Sequence, residues 1–471
     1  MQYDLLIKNG YVVDYASARE GYFDVAVQNG MIAAVESSIG GSAVQELDAS
    51  GKLVLPGLVD SHVHASAWLG GSYAHTMLVK AGVTSSALDM SGPGTSVLEL
   101  AREYGTGLNL ATIEYVRPGH TVSSDDPSSA ELQQLITKVQ RQGSLGIKLL
   151  GGHYPLTVAA TARAIRAAAE LGAYTAFHAG TAAHGSNIEG MLEAVELADG
   201  NPLHLAHINA YCRGTVLPEA EETELALKAL AANPNISCES YLSPLNGTSA
   251  EIIDGLPGSM VTRRCLKTGG FTEDEAGMEE ALLSGWAQVN YPQGQEMTLL
   301  TGEAARDYWR GQQTLVSVSF AVNPVGPRVR LATAKKADGS FAVDAVSTDG
   351  GGIPRNVLLP AGLALVDLGG LSLQELVAKI SYQPARLLGL ANKGSLTAGR
   401  DADITIVDRL QRSAFATIIG GQVCYMDGKV LGRGGRIITT AAGADYVRSQ
   451  GLEPLVVDLA DSSLLQKAQK R

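Results

Sequence analysis

Residues 56–64 read Pro-Gly-Leu-Val-Asp-Ser-His-Val-His, and the fold that we predict starts from this stretch. A Pro-Gly break precedes a short apolar run, and the run ends in two histidines with one residue between them. Residues i and i+2 of a strand point to the same face of a sheet. His62 and His64 can therefore direct two imidazoles at one point, where the first strand of a barrel begins.

The residues that follow alternate between helical and strand-like stretches. Apolar residues recur at helical spacing in 158–171 and 188–198, and strand-like runs follow at 173–177 and 202–206. Each of these runs leads into a histidine. Alternating strands and helices imply a parallel sheet, and seven or eight such units close a (β/α)8 barrel. We predict an α/β fold, with a distorted (β/α)8 TIM barrel over residues 57–394.

Both ends of the chain have a different pattern of apolar and polar residues from the middle. Short alternating apolar and polar runs, joined by turns such as Asn9-Gly10 and Asp427-Gly428, occur before residue 56 and again after residue 395. We predict one small β-sandwich domain built from residues 1–56 and 395–445. The tail, 446–471, has the periodicity of a short amphipathic helix. We interpret it as a subunit contact in a homo-oligomer.

The composition excludes several classes of function. The 471 residues carry a net charge of −12, with 45% hydrophobic and 18% charged residues, which is typical of a well-buried globular protein. A nucleic-acid binder would need a basic face. The sequence contains neither a signal peptide nor a run of 18 apolar residues. Four scattered cysteines indicate a reducing compartment, so we predict a cytoplasmic protein acting on a small molecule, without nucleic-acid or membrane partners.

A lysine interrupts the apolar run Gly-Ile-Lys-Leu-Leu at residues 146–150. One interpretation is an edge-strand lysine that extends its amine to solvent. The other interpretation is a buried lysine. Burying a charged amine costs free energy, and this cost is smaller when the lysine pKa falls or when the amine is chemically modified. A neutral amine can capture CO₂ to form a carbamate, an anionic ligand able to bridge two cations. We favour this second role for Lys148.

Further polar residues lie at the ends of later apolar runs. His178 ends residues 174–178, and Asp349 ends residues 345–349 before three glycines. His204 and His207 are three residues apart on one run, so they point to opposite faces of a strand. We place His207 at the barrel mouth and His204 behind it. Asp349 suits a carboxylate ligand that also transfers protons, although a turn-capping aspartate has the same pattern.

Together these residues predict a binuclear metal centre. Imidazole nitrogens with carboxylate-type oxygens suit Zn²⁺, with Mn²⁺, Co²⁺ or Fe²⁺ as alternatives. The two predicted ligand sets are His62, His64, carboxylated Lys148 and Asp349 for one ion, and carboxylated Lys148, His178 and His207 for the other. A hydroxide bridging the ions would be a strong nucleophile, since zinc alone lowers the pKa of bound water to about 7. Asp349 could move its proton to a leaving nitrogen.

This pattern resembles the amidohydrolase superfamily. The matching pieces are residues 3–10 (Tyr-Asp-Leu-Leu-Ile-Lys-Asn-Gly), residues 56–64, and residues 399–408 (Gly-Arg-Asp-Ala-Asp-Ile-Thr-Ile-Val-Asp). The resemblance implies a distorted (β/α)8 barrel, a small β-sandwich, and metal-dependent hydrolysis, usually of amide bonds.

Two branches of the superfamily share features with the chain. Tyr154-Pro155, residues 207–209 and residues 237–241 resemble the N-acyl-D-amino-acid deacylases. This resemblance implies that Tyr241 helps to hold a substrate carboxylate, with Asn209 nearby. Lys148 is more similar to the lysine of hydantoinases and dihydroorotases, which is carboxylated.

Several other residues are candidates for binding substrate at the barrel mouth. His153 follows the Lys148 run, and Arg213 follows His207, where a guanidinium could pair with a substrate carboxylate. Arg263, Arg264 and Arg355 are further candidates for this contact, although we favour a surface ion pair for each of these three. The connection from Tyr241 to Asp349 is long, and we predict that residues 245–340 form an insertion over the site.

These observations predict an enzyme that hydrolyses a carbon–nitrogen bond other than an ordinary peptide bond. The predicted substrate is an N-acyl (D-)amino acid or a dipeptide-like compound. The alternative is a cyclic amidase that opens a hydantoin-like or dihydroorotate-like ring. A catalytically inactive scaffold is a weaker alternative, because every expected ligand position is occupied. A deaminase is also weaker, because deaminases of this superfamily usually use one metal and no strand-four lysine.

Overall fold

The computed structural model describes residues 2–67, 71–90 and 92–468. The first five strands belong to a β-sheet domain and are β1 (Gln2–Asp14), β2 (Arg19–Gln28), β3 (Met31–Glu36), β4 (Ser42–Asp48) and β5 (Leu53–Pro56). β1 pairs antiparallel with β2 and parallel with β4 and β5. Buried aliphatic residues on alternate positions of these strands form the core of this domain.

Parallel strands and helices then alternate through the middle of the chain. They are β6 (Leu58–Asp60), β7 (Val63–His64), α1 (Gly71–Lys80), β8 (Val83–Asp89), α2 (Gly94–Tyr104), β9 (Thr106–Val116), α3 (Ser129–Arg141), β10 (Gly146–Leu150), α4 (Val158–Glu170), β11 (Tyr174–His178), α5 (Ile188–Ala198), β12 (Leu203–Leu205), α6 (Glu219–Ala232) and β13 (Ile236–Tyr241). A 3-10 helix, Ile208–Tyr211, follows β12. Each strand pairs in parallel with its neighbour, so the carboxyl ends of the strands meet on one face.

A separate small sheet with helices follows β13. Its elements are β14 (Asn246–Ser249), β15 (Ile252–Ile253), β16 (Leu256–Pro257), α7 (Met260–Thr268), α8 (Glu275–Leu283), β17 (Ala287–Gln293), β18 (Glu296–Leu300), α9 (Gly302–Gly311) and β19 (Ser317–Phe320). The sheet order is β14-β19-β17-β18, and the unit has its own apolar core around Trp309 and Phe320. The next helix, α10 (Val325–Thr333), packs against α6 as a helix of the barrel. The separate unit therefore ends near Phe320, well before residue 340.

The last barrel strand is split around Asp349. β20 (Ala345–Ser347) pairs in parallel with β13, and β21 (Gly350–Gly351) pairs in parallel with β7. This split strand joins the eighth strand position to the first and confirms the predicted distorted barrel. Gly351 allows the close approach, because a Cβ at this residue would lie 2.5 Å from the carbonyl oxygen of His64.

Helices and the remaining sheet strands complete the domain that both ends of the chain form. They are α11 (Leu358–Asp367), α12 (Leu373–Val377), a π-helix (Ala378–Tyr382), α13 (Gln383–Leu387), β22 (Ile404–Asp408), β23 (Ser413–Ile419), β24 (Gln422–Met426) and β25 (Lys429–Val430). β22 pairs antiparallel with β5, so strands from both termini form one nine-stranded sheet.

The C-terminal segment packs against the barrel. It contains β26 (Gly434–Thr439), α14 (Ala444–Ser449), β27 (Glu453–Val456), a 3-10 helix (Leu459–Asp461) and α15 (Ser463–Ala468). β26 pairs in parallel with the first half of β9, whereas β10 pairs with its second half. The sequence analysis assigns residues 434–439 to the sandwich, but the structure places them in the barrel sheet. The reason is that Ile438 is buried among barrel side chains.

The tail contains the short helix α15, whereas the sequence predicts an amphipathic helix that forms a subunit contact. Leu459 and Leu464 are buried in the cluster that contains Ile438, and they face the chain's own barrel. Within the described residues, no helix combines the length and the apolar character that a membrane crossing requires.

Candidate metal centre and active site

Three predicted ligands converge at the carboxyl ends of the first and last barrel strands. His62 lies between β6 and β7, His64 ends β7, and Asp349 lies between β20 and β21. The Nε2 atoms of His62 and His64 are 3.2 and 2.8 Å from Asp349 Oδ1. Their potential ligand atoms lie within 4.8 Å of one another, so one ion could contact all three side chains.

Asp349 has a backbone and a partner that fix its carboxylate. Its φ is 50°, a left-handed conformation that Asp tolerates better than most residues and that turns the side chain out of the strand. Arg355 is buried and places Nη2 2.9 Å from Asp349 Oδ2. Burial raises the pKa of Asp349, but Arg355 and His62 outweigh burial and hold this pKa well below its usual range. Asp349 is therefore ionised at neutral pH.

A second pair of predicted ligands lies beside the first group. His178 ends β11, and His207 follows β12 with a φ of 39°. Nδ1 of His178 is 3.0 Å from Nε2 of His207. Burial and the neighbouring imidazole hold the pKa of His178 well below its ordinary value, and burial does the same for His207. Both rings are therefore neutral, which is the form that binds metals.

The strand-four lysine faces the same cavity. Lys148 is the third residue of β10, is 2% exposed, and has Nζ 2.7 Å from the Met90 sulfur. Burial lowers the pKa of Lys148 to about 8. The buried position excludes the edge-strand interpretation. Lys148 lines the cavity together with the predicted metal ligands His62, His64, His178, His207 and Asp349.

The donor set fits divalent metal ions. Neutral imidazole nitrogens and an ionised carboxylate are borderline ligands that suit Zn²⁺ and its first-row neighbours. In the described part of the chain, the buried atoms without a hydrogen-bond partner include Nδ1 of His64 and Nδ1 of His207. Unpartnered buried imidazole nitrogens at this point are costly unless a further ligand contacts them. The residues present are therefore compatible with a metal centre.

Glu239 is a buried carboxylate beneath the centre that the sequence analysis did not assign to the site. One oxygen, Oε1, lies 2.7 Å from His62 Nδ1 and accepts from the His207 backbone N–H at 2.8 Å; Oε2 accepts from the Ser347 hydroxyl at 2.8 Å. Burial raises the pKa of Glu239, but His62 and His204 outweigh burial and hold it well below its usual range. The signal in the sequence was a charged residue inside an otherwise apolar or small-residue strand.

His204 contacts Glu239 from the opposite side of the barrel interior. Nε2 of His204 is 3.7 Å from Glu239 Oε1, and Nδ1 contacts the Tyr174 hydroxyl. His204 is completely buried and does not line the cavity. His204 therefore also lies in the barrel interior, and the prediction that it points to the opposite face from His207 is wrong. The reason is that β12 ends at Leu205, so His207 lies beyond the strand, with a φ of 39°.

The predicted substrate-binding residues divide into two groups. His153 lines the cavity, with its ring centroid 5.1 Å from that of His178. Gly152 makes room for His178, since a Cβ there would lie 2.0 Å from His178 Nε2. Arg213, Tyr241 and Asn209 instead form a network behind the cavity wall.

That network ties the small additional sheet to the barrel. Arg213 donates from Nε to Asn323 Oδ1 at 2.8 Å and from Nη2 to Asn246 Oδ1 at 2.9 Å, with Tyr241 Oη 3.4 Å away. The Tyr241 backbone N–H donates to Asn209 Oδ1 at 2.9 Å. Arg213 therefore links Asn246, at the start of the small unit, to Asn323, just beyond its last strand.

The other arginines singled out from the sequence have different surroundings. Arg263 Nε donates to the Pro257 carbonyl at 2.7 Å, and Arg264 is exposed on the same helix, α7. Arg355, expected in a surface ion pair, is instead buried against Asp349 because residues 350–356 fold back under the strand end.

The site opens into two adjoining cavities. The inner cavity, about 90 Å³, is lined by the metal-ligand candidates and by residues 246–249 of the small sheet. The outer cavity, about 620 Å³, shares Leu150, Tyr154, Ser249 and Ser259 with the inner one. The inner space holds only a reacting group, so the remainder of a larger substrate would extend into the outer cavity.

Comparisons with known proteins agree with this fold. The sequence profile of the Amidohydrolase family matches residues 315–434, which include Asp349. A dihydroorotase from Trichlorobacter lovleyi is 26% identical over 440 residues, covering 86% of this chain and 89% of that protein. An N-acyl-D-glutamate deacylase from Bordetella bronchiseptica, solved with zinc and a phosphonate inhibitor, aligns with a TM-score of 0.67 at 15% identity, covering 93% and 99% of the two chains. For dihydropyrimidinase from Brevibacillus agri the TM-score is 0.59 at 16% identity, covering 93% and 99%.

A closed parallel barrel with histidines and a carboxylate at the carboxyl ends of its strands is the arrangement that a metal-dependent hydrolase requires. Residues 315–434 match the Amidohydrolase family, and the chain is similar over most of its length to a dihydroorotase.

Proposed function

We propose that this protein hydrolyses the amide bond of an acyclic N-acyl amino acid or dipeptide-like substrate. The observation that carries the proposal is the convergence of His62, His64 and Asp349 beside His178 and His207 on one small inner cavity. The outer cavity supports an acyclic substrate, because an extended molecule can place its amide in the inner space and its remaining groups outside.

The proposed ligands are the six residues predicted from the sequence. His62, His64 and Asp349 would hold one ion, and His178 and His207 the other, with Lys148 between the groups as a carbamate. When bound, the ions supply Lewis-acid polarisation of the amide carbonyl and activation of water. Zinc fits this donor set, and manganese, cobalt and iron remain alternatives.

Within this proposal the chain's own residues hold and move protons. Asp349, ionised and held by Arg355, accepts a proton on its carboxylate during attack and delivers it to the leaving nitrogen. Glu239 keeps the proton of His62 on Nδ1, so that Nε2 faces the centre. His153 lies on the cavity wall, where it can contact the substrate.

A cyclic amide is the second candidate. Lys148 and the similarity to a dihydroorotase favour it. Both candidates use the same proton transfers and differ in the shape of the substrate that fills the cavity.

Turnover of matched substrates by zinc-supplemented protein tests the proposal. We expect amine release from N-acetyl amino acids of one chirality, D or L, with no ring opening of hydantoin or dihydrouracil. Asp349→Asn should retain zinc, measured by elemental analysis, and lose roughly 100-fold or more in kcat because the proton carrier is gone. Ring opening without amine release would replace the proposal with the cyclic alternative, and unchanged turnover by Asp349→Asn would remove the role given to Asp349.

A further inference from the structure

The outer cavity contains a cation that the proposed reaction does not use. Arg117 is the first residue beyond β9 and lines the outer cavity with Tyr115 and Tyr154. Its guanidinium carbon lies 4.2 Å from the centroid of the Tyr154 ring. Stacking of this kind fixes the plane of the guanidinium. The Arg117 side chain also has a hydrogen bond to Tyr115, and a guanidinium carries five N–H donors in all.

The loop that carries Arg117 is held in place. The Arg117 backbone N–H donates to the Thr121 hydroxyl at 2.7 Å, and the same hydroxyl donates to the Tyr115 carbonyl at 2.9 Å. The Tyr115 hydroxyl lies 3.2 Å from Nδ1 of His120. Arg117 is therefore positioned on a closed turn beside the strand end.

Arg117 has no carboxylate partner among residues 2–67, 71–90 and 92–468, taking 4.0 Å as the limit of an ion pair. The other cations that line the two cavities are engaged. Arg355 pairs with Asp349, and Lys148 lies among the metal-ligand candidates. Glu251 also lines the outer cavity without lying within that distance of Arg117. A half-buried arginine that has a side-chain hydrogen bond to Tyr115 but no carboxylate partner is therefore available to an anion that enters the cavity.

Strand register gives the height of Arg117 above the reaction centre. Lys148 pairs with Tyr115 across the parallel strands β10 and β9, and Arg117 lies two residues after Tyr115, directly beyond the end of β9. Two residues of a strand rise roughly 7 Å. The anion that Arg117 contacts is therefore separated from the scissile amide by several covalent bonds.

Resting on the proposed function, we propose that Arg117 binds a carboxylate of the substrate remote from the scissile amide and so selects acidic N-acyl compounds. The carboxylate belongs either to the acyl group or to the side chain of the amino acid. Arg213, the carboxylate-binding candidate from the sequence, already donates to Asn246 and Asn323.

Pairs of substrates that differ only in this charge test the proposal. The first pair is N-glutaryl-alanine and its terminal amide, and the second pair is N-acetyl-glutamate and N-acetyl-glutamine. Each compound is tested as the D- and as the L-enantiomer. We expect kcat/KM to be about 10- to 100-fold higher for the acid of one pair, mainly through KM, since a hydrogen-bonded charge contributes about 1.5–3 kcal/mol. The pair that shows the preference identifies which carboxylate Arg117 binds.

Arg117→Met should abolish this preference by weakening the acid selectively. Arg166→Met is the matched control, since Arg166 is exposed on α4, outside both cavities. The control should keep the preference. The proposal is overturned when Arg117→Met lowers acid and amide equally, or when the preference survives.

A binding measurement separates this proposal from the proposed function. Calorimetric titration of N-glutaryl-alanine and N-acetyl-glutamate into Asp349→Asn and into Asp349→Asn/Arg117→Met requires no turnover. Arg117-dependent binding without hydrolysis by the wild-type protein would refute the proposed function and retain the anion site. Hydrolysis of neutral N-acyl amino acids with no effect of Arg117→Met would refute the anion site and retain the proposed function.

Discussion

At the level of single residues, Glu239 determines how His62 can act as a ligand. Its Oε1 atom lies 2.7 Å from His62 Nδ1, and it also accepts the backbone N–H of His207. A carboxylate in this position places the imidazole proton on Nδ1 and leaves Nε2 free for a metal. One buried carboxylate thus orients parts of both ligand groups.

Glu239→Gln should weaken metal binding. The amide group would place an N–H donor against one of the donors that Glu239 now accepts, or leave one of them unpaired. We expect zinc affinity to fall about 10- to 100-fold, measured by competition with a chromogenic chelator. Ser347→Ala, which removes one hydrogen bond to Glu239, should have a smaller effect. Zinc affinity unchanged in Glu239→Gln would contradict the positioning role.

Lys148→Ala tests the carbamate proposed between the two ion positions. Without this oxygen donor we expect kcat to fall by roughly 100-fold and metal content to decrease. Added propionate should restore part of the activity, because a small carboxylate can fill the space of the missing carbamate. Lys148→Arg is the control that keeps the charge and cannot be carboxylated. Full activity with two bound ions in Lys148→Ala would show that no carbamate is needed.

At the level of secondary-structure elements, the small sheet that follows β13 shapes the cavity. Residues 246–249 and Ser259 form part of the inner wall, and the Thr248 hydroxyl lies 2.9 Å from that of Ser259. Arg213 links Asn246 and Asn323, one at each end of this unit. The unit therefore contributes the cavity wall, whereas the barrel contributes the metal-ligand candidates.

Helix α1 contains a buried histidine that makes folding dependent on pH. His75 is completely buried, both ring nitrogens are without partners among the described residues, and burial lowers its pKa to about 4. Between pH 6.5 and 4 the unfolded chain binds a proton that the folded chain does not. The free energy of unfolding therefore falls as the pH falls through this window, and His75 has little effect above pH 7.

His75→Leu should remove this contribution. Relative to the wild type, we expect the variant to gain stability progressively from pH 6.5 to pH 4, by up to about 3 kcal/mol. Calorimetric Tm values of both proteins at pH 8, 6.5, 5 and 4 measure the difference. A difference in Tm that stays constant with pH would show that His75 does not titrate in this way.

At the level of the whole molecule, the C-terminal segment closes the barrel opposite the site. β26 pairs with β9, and Ile438, Leu459 and Leu464 are buried in one cluster with barrel residues. The C-terminal segment thus contributes apolar side chains to a core that the barrel residues in the middle of the chain also form. Stability of the site therefore depends on residues that lie far from it.

Leu464→Ala measures this dependence. Truncating a fully buried leucine costs about 2–5 kcal/mol, through lost apolar contact and the cavity left behind. We expect Tm to fall by several degrees while the metal-ligand candidates are unchanged. Leu410→Ala is the matched control, because Leu410 is 97% exposed and its truncation should leave Tm unchanged. Equal Tm values for the two variants would show that α15 contributes nothing to the core.

Local patterns predicted the repeating parts of the fold well. The helix expected over 188–198 is α5, and the helix expected over 158–171 is α4 with one residue fewer. Helical periodicity is a local property, so a single stretch of chain carries it. The pairing of β26 with β9 depends on residues more than 300 positions apart, and no local pattern predicts it.

The amino-acid sequence by itself determined the barrel class and the identities of the metal-ligand candidates, because strand alternation and the chemistry of histidine, lysine and aspartate are readable from short stretches. Only the tertiary structure decided that Glu239 contacts His62 across 177 residues, that Arg355 is buried on Asp349, and that Arg213 donates to Asn323 and Asn246. The physical reason is that a sequence pattern predicts which face of an element is buried. Which distant side chain meets it there depends on how the elements pack.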